Sequence, residues 1–169
     1  MSVLRWISLL AAVASLGCQG SFHNPPPLTA EQRAGVEDGV RRFAAVVAHD
    51  VTQDGPMAWR KHFLDKPSFF MAVNGKLAFP SGQAAAEAIP QIARLFQHID
   101  LHWGDDLRVD ALTPDLAVLA TSYDEVIDYA DGHRDDVSGY FTGLAELRNG
   151  QWQFRNAHWS VPAPPAKAQ

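Results

Sequence analysis

The chain has 169 residues, 47% hydrophobic and 20% charged, with a formal net charge of −5. That size and balance suit one globular domain with a single core. The acidic excess argues against duplex nucleic acid or an anionic membrane face as a partner, because both reward clustered cations; here only Arg41-Arg42 and Arg60-Lys61 are adjacent, and these read as solvated helix faces.

The N-terminus carries one charge, Arg5, then a short apolar run from Trp6 to Leu16 with small residues near its end. Residues 1–17 are therefore expected to be an export signal, since the run is too short to span a bilayer as a helix. The only cysteine, Cys18, follows Gly17 in a setting similar to a bacterial lipoprotein cleavage site. Ser15 and Leu16 depart from that pattern, so lipidation of Cys18 and ordinary signal cleavage both stand. The expected location is periplasmic or membrane-anchored through Cys18, alternatively secreted. The domain beyond it has no cysteine for a disulfide or a thiol nucleophile. Residues 18–28, with three consecutive prolines, read as an extended spacer, residues 29–162 as the domain, and residues 163–169 as a tail.

Thr29-Ala30-Glu31-Gln32 is a capping box, opening a first helix to about Ala48 with Val36, Val40, Phe43, Ala44 and Val47 on one stripe. Asp54-Gly55-Pro56 restarts the chain into a short second helix with Trp59, Phe63 and Leu64 inward, ended by Pro67. Asn74-Gly75 between apolar runs predicts a hairpin over residues 69–79. Ser81 starts an alanine-rich third helix, kinked by Pro90 and ending near His98. From Asp100 the pattern is that of strands, over 100–112, 115–130, 133–147 and 151–161. The turns between them are Thr113-Pro114-Asp115, Asp131-Gly132 and Asn149-Gly150. Helices on one face of a curled sheet give an α+β class.

Ser81-Gly82-Gln83-Ala84-Ala85 before the third helix, Gly150-Gln151-Trp152-Gln153-Phe154 after the last turn, and Asn156-Ala157-His158-Trp159-Ser160 at the end of the last strand carry a resemblance. With this order of elements, residues 29–162 resemble the SnoaL-like branch of the nuclear transport factor 2-like superfamily. The resemblance implies a cone-shaped, curved antiparallel or mixed sheet packed against about three helices from the N-terminal half. It also implies a deep pocket between the two layers, and frequent homodimers. It implies no single reaction, since members include isomerases, dehydratases and cyclases.

Two-residue turns at Asp131-Gly132 and Asn149-Gly150 would pair Ser122 with Phe141, Asp124 with Gly139 and Phe141 with His158. One face then collects Val118, Ser122, Asp124, Gly139, Phe141, Gly143, Leu147, Trp152, Phe154, Asn156 and His158. The other holds Thr121, Tyr123, Tyr140, Leu144 and Trp159; Tyr140, Leu144 and Trp159 are apolar enough to suggest a dimer contact. With the first face concave, Ser122, Asp124, Phe141, Asn156 and His158 would line the pocket, and Trp59 and Phe63 could wall its mouth. Asp124 and His158, diagonal across the central strand, are the candidate proton-transfer pair; a passive, mutually satisfied pair is the competing reading. His98 and His102 have metal-ligand spacing only if both lie on one helix, so no metal and no cofactor is expected. His98 is instead expected at a helix C-terminus. Three functions follow: small-molecule binding as the leading one, a lyase, isomerase or cyclase using Asp124 and His158, or a dimeric interaction module whose cone is filled.

Overall fold

A computed structural model of the protein describes residues 26–162. The expected signal at 1–17, Cys18, the first part of the spacer and the tail lie outside the described residues.

Helix α1, Ala30–Asp54, opens on the expected capping box: Gln32 N–H donates to Thr29 Oγ1 at 3.2 Å and Thr29 N–H to Gln32 Oε1 at 2.9 Å. It runs beyond Ala48 because Val51 extends the buried stripe of Val36, Val40, Phe43, Ala44 and Val47. Gly55, with φ 65°, ends it in a backbone conformation that costs glycine little. A 3₁₀ turn, Gly55–Ala58, leads into the single-turn α2, Trp59–His62. Strands β1, Phe70–Val73, and β2, Lys76–Phe79, form the hairpin around Asn74-Gly75, both residues having positive φ. Helix α3, Gly82–Ile92, is capped by Ser81, whose hydroxyl accepts from Ala84 N–H at 3.1 Å.

The third helix stops at Ile92, short of His98. Residues from Phe96 onward alternate in burial and pair with a later strand, and this tertiary pairing outweighs local helical preference. His98 and His102 thus lie on a strand, β3, Phe96–Trp103. The strand expected over 100–112 is two strands: β3, and β4, Arg108–Thr113, broken by the turn after Trp103. Both pair with β5, Leu116–Tyr129, β3 along its second half and β4 along its first. Strands β6, Arg134–Arg148, and β7, Gln151–Ser160, complete a mixed sheet in the order β2-β1-β7-β6-β5-β3, with β1 parallel to β7. Helix α1 covers its inner face. Phe43 and Phe154 meet at 4.8 Å between ring centroids, and Trp103 Nε1 donates to Ala44 O at 2.7 Å, tying β3 to the helix.

Two single-residue events set the faces. Asn149-Gly150 is the tight turn expected, pairing Arg148 with Gln151 and Ala145 with Phe154. The next pair is Leu144 with Asn156, so Arg155 is an extra residue on β7. The Asn156 side chain accepts Leu144 N–H at 3.2 Å beside this bulge, and the alternation of β7 reverses beyond it. Between β5 and β6 the connection is three residues, not two: Tyr129 N–H donates to His133 O across Ala130–Gly132, with Gly132 at φ 92°. This moves β5 by one residue against β6, pairing Thr121 with Phe141 and Asp124 with Ser138. A one-residue slip turns every side chain of a strand over.

The inner face therefore presents Ala117, Leu119, Thr121, Tyr123 and Ile127 of β5, Phe141, Gly143 and Ala145 of β6, and Phe154, Ala157 and Trp159 of β7, all buried. The expected inner set is correct along β6 and for Phe154. It is reversed along β5 and beyond Arg155. Trp159, expected on the outer face with Tyr140 and Leu144 as a dimer contact, is only 8% exposed and packs against Phe141 at 4.7 Å inside the cone.

Candidate functional site

Between the sheet, the α2 turn and α3 lies a hollow of about 450 Å³. Pro56, Trp59 and Phe63 wall one side, and Ile89 and Ile92 of α3 another. The sheet supplies Met71, Val73, Phe79, Phe96, Ile99, Ile127, Val137 and Trp159. The aromatic wall is continuous: Trp59 stacks on Phe63 at 5.2 Å and meets Trp159 edge-on at 5.5 Å, and Tyr123 meets Trp159 at 4.7 Å. The volume lies within the usual range for small-molecule sites and is about three times the ~150 Å³ that admits benzene in an engineered apolar cavity.

Few polar groups face this space: Asn74, Tyr123, Tyr129 and Glu125. Glu125 follows the inward alternation of β5 between Tyr123 and Ile127, flanked by Leu101 on β3 and Val137 on β6. Burial is the cause that acts on its carboxyl, pushing the pKa up to about 7; no neighbouring donor or cation offsets it. The Tyr123 phenol is pushed up to about 12, first by burial and then by the Glu125 charge. Tyr129 is raised as well, by burial and by its hydrogen bond to Asp135 Oδ2 at 3.1 Å.

The expected site residues divide. Trp59 and Phe63 line the hollow. Phe141 is fully buried beneath Trp159 and Trp103 and does not reach it. Ser122 points outward, its N–H and hydroxyl both donating to Asp106 Oδ1 at 2.8 Å. Asn156 is occupied at the β7 bulge. Asp124 is exposed on the outer face and accepts from the Ser138 hydroxyl. His158 is exposed too and pairs with Thr142, four residues along β6 from the Asp124 partner, roughly 13 Å at strand spacing. The expected Asp124–His158 dyad is not formed, because the three-residue turn and the Arg155 bulge each turn one member out of the cone.

Glu125 is the residue that sequence reasoning missed. Its signal was present in the alternation Tyr123, Glu125, Ile127, Tyr129, but this becomes readable only once β5 is placed in its actual register. A second polar cluster lies behind the hollow: buried His62 and the Lys61 ammonium both reach Asp50 Oδ2, each at 3.0 Å. Burial holds the His62 imidazole below its usual pKa, while the Asp50 carboxyl is lowered because bonds from Lys61 and His49 outweigh its desolvation. This cluster clamps α2, and with it Trp59 and Phe63, to α1. Among the described residues no group of three His, Cys, Asp or Glu is placed to hold a metal ion.

No family model and no curated protein sequence matches the chain. Solved structures do match in shape. A scytalone dehydratase-like protein of Novosphingobium aromaticivorans superposes with a TM-score of 0.69 at 12% identity, covering 83% of this chain and 100% of its own. A nuclear transport factor 2-like superfamily protein of Salmonella enterica gives 0.63 at 14%, covering 84% and 99%. The chain has the nuclear transport factor 2-like fold. A hexachlorocyclohexane dehydrochlorinase, LinA-type3, of Novosphingobium barchaimii gives 0.63 at 12% identity over 83% and 97% of the two chains. In this nuclear transport factor 2-like cone, the hollow described above is the space between the concave sheet and its helices.

Proposed function

We propose that this domain takes up a small, mainly apolar molecule in the hollow and meets its one polar group with Glu125. The observation that carries the reading is the hollow itself, about 450 Å³ walled by aromatic and aliphatic side chains around a single carboxyl group. A pure interaction module would be expected to fill its cone with side chains; here the space is left open. The N-terminal signal pattern supports an exported protein, for which N-terminal sequencing of the mature chain is the test.

Uptake of the neutral dye N-phenyl-1-naphthylamine tests the binding reading. The full-length protein is expected to bind it saturably, with the fluorescence gain of transfer to an apolar site. Val137→Trp, which places an indole into the hollow from β6, is expected to weaken uptake at least tenfold. Unsaturable dye response, or equal uptake by the variant, would count against the hollow as the site.

A second reading, catalysis, is favoured by one observation: a carboxyl pushed up to about 7 among apolar cavity walls is matched to general acid–base work at neutral pH. Two of the structural neighbours are a dehydratase-like protein and a dehydrochlorinase. On this reading the enzyme is of lyase or isomerase type, and Glu125 takes the proton-transfer role that the sequence assigned to Asp124 and His158.

A further inference from the structure

We infer that the ligand class selected by the hollow is a hydrophobic amine, bound as its ammonium form with the cation beside Glu125 and the apolar body against the aromatic wall. The inference deepens the binding reading and rests on it. Three features of the structure converge on a cation. Among the residues that line the hollow there is one carboxylate and no lysine, arginine or histidine, so the Glu125 charge has no counter-ion within the cavity. An isolated carboxylate is costly in apolar surroundings, and a ligand carrying the opposite charge removes that cost as it binds.

Seven aromatic side chains share the cavity wall with it, among them Trp59, Phe63, Phe96, Tyr123, Tyr129 and Trp159. Ring faces carry partial negative charge and attract ammonium groups, while they offer nothing to an anion. The Trp59 and Trp159 planes stand at 86° to each other, so a guest in the angle between them meets ring surfaces in two orientations. The end of the hollow at Tyr129 is acidic as well. Asp135 accepts from the Tyr129 hydroxyl, Asp131 lies in the adjoining turn, and Arg134 beside them is drawn to Asp128 and Asp136. With a chain net charge of −5, this arrangement favours arrival of cations over anions.

A neutral hydrogen-bonding guest would make a different use of the same carboxyl, accepting a hydrogen bond from its protonated form. The two differ in their linkage to pH. An ammonium guest stabilises ionised Glu125 and binds more tightly as pH rises through its titration, whereas a neutral acceptor prefers the acid form. The titratable groups facing Glu125 are Tyr123 and Tyr129 on its own strand, with Asp135 on β6 at the rim. The turn adds Asp131 and His133, the latter stacked on the Tyr129 ring at 3.7 Å. From β3, Leu101 and Ile99 are apolar, and Trp59 and Trp159 carry no charge. His133 sits in the exposed turn, outside the lining of the hollow.

The experiment is competition against bound N-phenyl-1-naphthylamine by 2-phenylethylamine and by its neutral counterpart 2-phenylethanol, using full-length protein. At pH 8 the amine is expected to displace the dye at a concentration at least tenfold lower than the alcohol. Glu125→Gln is expected to weaken the amine at least tenfold more than it weakens the alcohol, so the loss of the cation preference is read against a neutral guest of the same size. In the unaltered protein, which needs no variant to fold, the ratio of alcohol to amine dissociation constants is expected to rise severalfold from pH 5.5 to 8.5. Equal affinities at pH 8, an amine preference kept by Glu125→Gln, or a pH-independent ratio would each overturn the inference while the alcohol still reported an intact site. Failure of both compounds, and of the dye, would instead remove the hollow as a binding site and the inference with it.

Discussion

Replacing Glu125 by Gln is expected to stabilise the protein at pH 8.5 relative to pH 5, by about 3 kcal/mol when the variant is compared with the unaltered chain at each pH. The carboxyl titrates at about 7 in the folded state against a reference value of 4.5, because burial disfavours its charged form. The native state thus binds this proton more tightly than the unfolded state. Its contribution is fully present below pH 4.5 and is lost as pH rises through 7, the reverse of an ion-paired carboxylate. Glutamine keeps the shape and cannot ionise, so its stability lacks this fall. His62 works in the opposite direction: burial lowers its pKa, so folding is favoured as pH rises past the value of the unfolded imidazole. Because His62 is present in both proteins, the difference between their urea midpoints at each pH isolates Glu125. Parallel curves from pH 5 to 8.5 would show that the carboxyl is solvated and that the hollow is wet around it.

Phe141→Ala is expected to cost about 3–5 kcal/mol, the range for removing a fully buried aromatic ring from a packed core. Phe141 has no exposed surface and lies at 4.7 Å from Trp159, 5.2 Å from Trp103 and 5.2 Å from Phe154 between ring centroids. The neighbouring Tyr140 is 40% exposed on the outer face, and its replacement by Ala is expected to cost less than about 1 kcal/mol. The contrast is a test of register as well as of packing. Chemical denaturation of the two variants in parallel measures it, and similar costs at 140 and 141 would contradict the assigned faces of β6. The ring supports the hollow only indirectly, by holding Trp159 in place, so dye uptake by Phe141→Ala is expected to weaken without being abolished.

The fold was largely legible because its signals are local. The Thr29–Gln32 box, the Asn74-Gly75 and Asn149-Gly150 turns and the Val36–Val47 stripe each depend on neighbours a few residues away, and each forms in the structure. The α3 end and the split of β3 from β4 were not readable, since both are decided by pairing with β5, which lies further along the chain. The site depended on something finer. Asp131-Gly132 suits a two-residue turn by composition, but glycine with positive φ serves a three-residue turn equally well, and no residue near it distinguishes them. The Arg155 bulge has a side-chain signature in Asn156, which bonds Leu144 N–H, but that bond requires the strands to be already aligned. Two shifts of one residue exchanged Asp124 and His158 for Glu125 and Trp159 as the groups that face the interior.

The most direct test is a crystal structure of the protein grown with N-phenyl-1-naphthylamine. The dye is expected in the cone between Trp59, Trp159 and Val137, with the Glu125 carboxyl facing it and Asp124 and His158 on the outer surface. Dye bound elsewhere, or a cone closed by its own side chains with Glu125 turned to solvent, would contradict the account.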